Sequence, residues 1–115
     1  MYNKTQWFYW LTRLRVYNIR KSTMGQYNLQ TININGKFFV SLRSDLRDAE
    51  KVHADGIQGY NVGNKAPVYN ALFNANIKDI DVTNVELGLT KSLGLAKKSQ
   101  MVEAFKMADV SLNVK

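Results

Sequence analysis

The sequence predicts an α/β domain of the α+β kind, a small, mainly antiparallel sheet of three strands flanked by helices. Three observations point there. Two runs of alternating apolar residues are joined by Asn35-Gly36, the dipeptide that supplies the positive φ of a tight hairpin turn. Elsewhere apolar residues recur at helical spacing, in stretches separated by Gly, Asn and Pro. With 115 residues, 45% of them apolar, the chain is sized for one compact domain.

Trp7, Trp10, Leu11, Leu14 and Tyr17 recur every three or four positions with Arg13 and Arg15 between them, which predicts an extra N-terminal amphipathic helix over residues 5–17. A basic loop follows, so residues 1–24 read as an aromatic, basic leader to a compact unit at 25–115. Tyr27, Leu29, Ile32 and Ile34 form a first strand, and Phe38, Val40 and Leu42 the second. The alternation slips by one between Leu29 and Ile32, and a bulge near Thr31 would absorb the slip. Asp45 is placed to cap a helix carrying Leu46, Ala49 and Val52, stopped by Gly56.

Residues 57–66 read as a loop rich in Gly and Asn. Pro67 suits the first turn of a short helix with Val68, Ala71, Leu72 and Ala75 inward. Ile80 and Val82, then Val85, Leu87 and Leu89, predict a third strand with another slip. Met101, Ala104, Phe105 and Ala108 mark a last helix that starts as early as Lys91, with Gly94 as its weak point.

Several classes are excluded at this stage. No apolar run approaches the roughly 20 residues of a membrane span, and the aromatic segment Trp7 to Trp10 leads into Arg13 and Arg15 instead of a cleavage site. The expectation is a protein with no membrane partner. The chain has no cysteine and one histidine, which removes disulfide scaffolds, thiol catalysis and His-rich zinc sites and fits a reducing, cytoplasmic setting.

The net charge of +7 is unevenly distributed. Residues 1–44 hold Lys4, Arg13, Arg15, Arg20, Lys21, Lys37 and Arg43 with no acid, whereas beyond them basic and acidic residues balance. A polyanion is the natural partner of such a segment, with Arg13, Arg15, Arg20, Lys21, Lys37 and Arg43 as the nucleic-acid contacts. The bland alternative is a solubility surface encoded by an AT-rich genome, which would also account for the many asparagines.

The order of elements and the residues on them resemble the GIY-YIG nuclease superfamily. That family carries Gly-Ile-Tyr on a first strand, turns through a segment often written Asn-Gly-Lys, and returns with Tyr-Ile-Gly. The matching residues are Gly25-Gln26-Tyr27, Asn35-Gly36-Lys37 and Phe39-Val40-Ser41. The family's helix Arg, and the His or Tyr four residues later, fall on Ala49 and His53. Pro67-Val68-Tyr69-Asn70-Ala71-Leu72 and Ile80-Asp81-Val82 resemble its next helix and strand, and Glu103 and Asn113 match the metal-binding Glu and the Asn beyond it. The resemblance covers about residues 25 to 113.

By that resemblance Tyr27, His53 and Glu103 are remnants of a phosphodiesterase site, with Glu103 the metal ligand of an active enzyme. Two family groups are replaced: Phe39 lacks the tyrosine hydroxyl and Ala49 lacks the guanidinium. Removing one preorganised donor commonly lowers a rate by about 10²–10³, so the resemblance implies a catalytically inactive domain; Arg43 and Arg47 are the nearby groups that could substitute. One carboxylate is a poor magnesium site without substrate phosphates. The free protein is therefore expected to hold no cofactor, with Mg²⁺ only in an active form.

The reading at this level is a nucleic-acid-binding pseudoenzyme, of phage or mobile-element origin and so in the host cytoplasm. It would act by occupying DNA, with RNA the other polyanion, or by blocking a nuclease or replication protein. Three alternatives stand beside it. One is an active metal-dependent endonuclease. Another is an interaction or inhibitor module using the Trp7 and Trp10 face as its hot spot. The third is a β-sheet DNA binder resembling AP2 domains and integrase arms over residues 18–53.

Overall fold

The computed structural model describes residues 25–114. The expected helix at 5–17 and the residues Trp7, Trp10, Arg13, Arg15, Arg20 and Lys21 lie outside the described residues. Strands β1 (Tyr27–Ile34) and β2 (Lys37–Arg43) pair antiparallel in an unbroken register from Asn28 opposite Arg43 to Ile34 opposite Lys37. Asn35 and Gly36 take φ of 53° and 89°, positive at both central positions as a type I′ turn requires. The Asn33 side chain accepts from Gly36 N at 2.9 Å and fastens the turn.

Strand β3 (Ile80–Leu89) pairs antiparallel with the other edge of β1, giving the order β2-β1-β3. As the middle strand, β1 buries Leu29, Gln30, Thr31 and Ile32 in succession. Leu29 and Ile32 face opposite sides of the sheet, so no bulge near Thr31 is needed to bury both. The expected bulge is instead on β3, which carries the extra residues between the partners of Tyr27, Leu29 and Gln30. The slip read between Val82 and Val85 falls at the second of these irregularities.

Helices α1 (Ala49–Asn61) and α2 (Pro67–Asn74) cover one face, where Ile32, Ile34, Val52, Val68, Leu72 and Ile80 form one core. Helix α3 (Lys91–Met107) covers the other with Met101, Val102 and Phe105 against Leu29, Val40 and Leu89. Phe38 stacks on Phe105 at 4.5 Å between ring centroids. Ala108, expected inward, is the exposed C-cap of α3. Lys97 of α3 and Glu86 of β3 form a buried ion pair on this side. The three antiparallel strands and flanking helices are the α+β architecture expected. Among the described residues no helix is long and apolar enough to cross a membrane.

Two helix boundaries differ from expectation. The cap of α1 is Asp48, whose carboxylate accepts from Lys51 N at 2.9 Å; Asp45 is taken by Arg43 instead. The helix also runs through Gly56 to Asn61, shortening the expected loop. Mid-helix glycines cost about 1 kcal/mol relative to alanine, but a Cβ here would meet α2: 2.4 Å from Leu72 Cβ at Gly56 and 2.3 Å from Tyr69 Cε1 at Gly59. These glycines mark close helix packing.

Beyond α3 the chain turns at Asp109, with φ 60°, and runs along the open edge of β2. Phe38 N donates to Val110 O at 2.8 Å and Leu112 N to Phe38 O at 2.7 Å. The Asn113 amide completes the strap: its Nδ2 donates to Val40 O at 3.2 Å and its Oδ1 accepts from Val40 N at 2.8 Å. An edge strand that would otherwise present unpaired backbone groups is thereby covered.

Candidate functional site

The chain leaves β2 at Arg43, and the segment that follows builds a cleft. Arg43 is half-exposed and donates from Nε to one oxygen of Asp45 at 2.8 Å and from Nη2 to the other at 3.3 Å. This hydrogen bond raises the Arg43 pKa and holds the Asp45 carboxyl below its ordinary value. Asp55 and Tyr69, which line the same cleft, raise the Arg43 pKa further to a smaller extent.

Four residues later the backbone is pinned to the sheet. Gln30, buried in β1, donates from Nε2 to Arg47 O at 3.0 Å and to Asn84 Oδ1 at 2.8 Å, while its Oε1 accepts from Arg47 N at 3.4 Å. Each amide proton of Gln30 has a partner, so a polar side chain is tolerated in the middle strand. This fixed backbone turns the Arg47 side chain inward, where it is only 9% exposed.

Arg47 Nη1 donates to Asp55 at 3.1 Å and Nη2 to the buried Ser41 hydroxyl at 3.2 Å. Its Nε is buried without a hydrogen-bond partner. Asp55 also receives Lys51 Nζ at 3.0 Å, one helical turn away. Burial alone would push the Asp55 carboxyl up; the hydrogen bonds and charges of Lys51 and Arg47 outweigh it and hold the group below its ordinary value.

These groups line a cleft of about 650 Å³. Its cations are Arg43, Arg47, Lys51 and, from α3, Lys98; its carboxylates are Asp45 and Asp55. Phe39 and Tyr69 supply aromatic wall. Cations therefore exceed carboxylates by two, and they come from β2, the segment after it, α1 and α3.

The residues singled out from sequence are only partly gathered here. Phe39 and Arg43 line the cleft, as does Arg47, and Ala49 packs on the adjoining core as the first residue of α1. Tyr27, His53 and Glu103 do not line it. Tyr27 lies opposite Leu89 on the face covered by α3, His53 is half-buried on α1, and Glu103 is exposed on α3. His53 and Glu103 are carried by α1 and α3, which pack on opposite faces of the sheet. Lys37 is exposed beside the hairpin turn, at the far end of β2 from Arg43.

Among the described residues no group of three or more His, Asp or Glu is placed to hold a metal ion. Glu103 stands as an exposed carboxylate, and the cleft carboxylates are engaged by Arg43, Arg47 and Lys51. This donor set does not fit a magnesium site. No family model, curated protein or solved structure matches the chain.

Sequence reasoning missed Gln30, Ser41, Lys51, Asp55 and Lys98 as parts of the site. One signal was available: Gln30 interrupts an apolar strand between Leu29 and Ile32, where an unpaired amide would be costly.

Proposed function

We propose that this chain is a nucleic-acid-binding domain, resembling a GIY-YIG nuclease that has lost its chemistry, and that it binds through the Arg43–Arg47–Lys51 cleft. The observation that carries the reading is the convergence of four cations on one recess with only two carboxylates to balance them. Phosphate groups are the common ligand of such a surface, and Arg supplies the planar fork that matches their oxygens. Aromatic wall from Tyr69 and Phe39 supplies surfaces against which bases pack.

The groups present support a reading without cleavage. Phe39 brings a ring without a hydroxyl to the cleft and Ala49 brings no charge, while the acids lining it among the described residues, Asp45 and Asp55, are already paired. The domain acts by occupying DNA, or by masking it from a nuclease or replication protein of a host cell. A β-sheet binder of the AP2 type is less well supported, because helices cover both faces of the sheet and leave no open face for a groove.

The test is a binding titration on single- and double-stranded DNA and on RNA at increasing salt. Binding that weakens steeply with salt and depends on Arg43, Lys51 and Lys98 supports the reading. Binding insensitive to those residues favours the interaction module built on Trp7 and Trp10.

A further inference from the structure

The shape and charge of the cleft select among phosphates, an inference that rests on the nucleic-acid reading above. Its volume of about 650 Å³ lies in the range of small-molecule sites, roughly 300–1,000 Å³. The end of a strand is of a size to fit such a recess. Arg47 is the recessed donor, with a side chain 9% exposed and an Nε that has no partner. A buried, unpaired N–H is costly, which marks Arg47 as an incompletely satisfied cation of the cleft lining. The oxygens of a terminal phosphate protrude from the strand, whereas an internal phosphodiester is flanked by sugar on both sides.

Charge points the same way. The cleft cations outnumber its carboxylates by two, and a phosphomonoester carries about −1.5 to −2 at pH 7 with three acceptor oxygens. An internal phosphodiester brings a single negative charge. We propose that the cleft is a binding site for the terminal phosphate of a nucleic-acid strand. Arg47, Lys51 and Arg43 are its donors, and Tyr69 and Phe39 flank the terminal nucleoside. Asp55 and Asp45 hold those cations in position in the free protein and share them with the phosphate when it binds.

The test uses one single-stranded oligonucleotide in three forms at fixed ionic strength: 5′-phosphorylated, 3′-phosphorylated, and hydroxyl at both ends. A calorimetric titration compares a nucleoside 5′-monophosphate and a 3′-monophosphate with the nucleoside. The expected result is that one phosphorylated form binds about tenfold or more tightly than the hydroxyl form, as charge-assisted bonds to one added group allow. That preference should shrink several-fold in Arg47→Lys. Because Arg47 is buried and its variant can be unstable, Lys51→Gln with Arg43→Gln serves as the second arm; both side chains are about half-exposed or more.

Equal affinity for all three oligonucleotides would overturn the proposal while leaving nucleic-acid binding intact. A preference unchanged in the Lys51→Gln, Arg43→Gln protein would also overturn it. Binding of a monophosphate, lost in that variant, without binding of any oligonucleotide would uphold the phosphate site and reject the nucleic-acid reading. No binding of either would reject both.

Discussion

Gln30 and Arg47, 17 residues apart, are joined on both sides of one amide: Gln30 Nε2 donates to Arg47 O at 3.0 Å, and Gln30 Oε1 accepts from Arg47 N at 3.4 Å. The middle strand of the sheet thus sets where the cleft arginine begins. Because Gln30 also donates to Asn84, two strands, β1 and β3, and the segment before α1 are tied at one point.

Replacing Gln30 with Leu should therefore damage fold and site together. The substitution leaves the Arg47 amide and carbonyl short of partners, each costing about 1–3 kcal/mol where it stays buried, while the exposed Asn84 turns to water. Urea unfolding should show a loss of roughly 2–4 kcal/mol, and polyanion affinity should fall. Unchanged stability would mean that the pinning bonds contribute nothing net.

Asp55→Asn separates charge from position. The cleft gains one unit of positive charge, so affinity for nucleic acid at moderate salt should rise by a few-fold even though the fold loses two charge-assisted bonds. The pH dependence has a defined sign. Because the folded carboxyl titrates below its unfolded value of about 3.9, the unfolded state binds more protons in that range. The stability Asp55 contributes is present above about pH 4 and is lost as pH falls through the lower folded value. Acid melts of the parent and variant should converge below that range. Weaker binding by Asp55→Asn would show that the carboxylate chiefly positions Arg47.

Asn113→Leu should loosen the strap on β2. It removes both bonds to Val40 and uncovers part of an edge strand, which costs about 1–2 kcal/mol and favours edge-to-edge pairing. A lower melting temperature with a concentration-dependent rise in sedimentation coefficient is the expected pair of results.

Purified protein with Mg²⁺ or Mn²⁺ should not nick plasmid above background, because Phe39 and Ala49 lack the groups that phosphoryl transfer would use. The double change Phe39→Tyr with Ala49→Arg should restore at most a trace. Robust nicking by the parent, abolished by Glu103→Ala, would promote the endonuclease alternative.

The legible parts of the fold are those whose cause is local. Asn35-Gly36 carries its own backbone preference, and the faces made by Val68 and Leu72, or by Met101 and Phe105, announce themselves through spacing. Choosing between Asp45 and Asp48 as cap was not a local problem, since Arg43 draws off the first. Gly56 reads as a stop when viewed along the chain and as a packing contact once Leu72 lies against it. The cleft is the least legible part because Gln30, Ser41, Arg47, Asp55 and Lys98 meet only after folding. Segment charge pointed to the acid-free residues 1–44, yet Arg47, Lys51 and Lys98 come from the electrically balanced remainder. A sum over a segment is blind to which face each charge occupies.

The central claim is that the cleft cations bind phosphate, and the salt dependence of DNA binding tests it most directly. On duplex DNA the slope of log K against log salt is about −0.9 per phosphate neutralised, and about −0.7 on single strands. On single strands the parent protein should show a slope of several contacts, and the triple variant Arg43→Gln, Lys51→Gln, Lys98→Gln, still folded by circular dichroism, should flatten it by about one to two units. An unchanged slope in that variant, or no binding by the parent at physiological salt, would contradict the account.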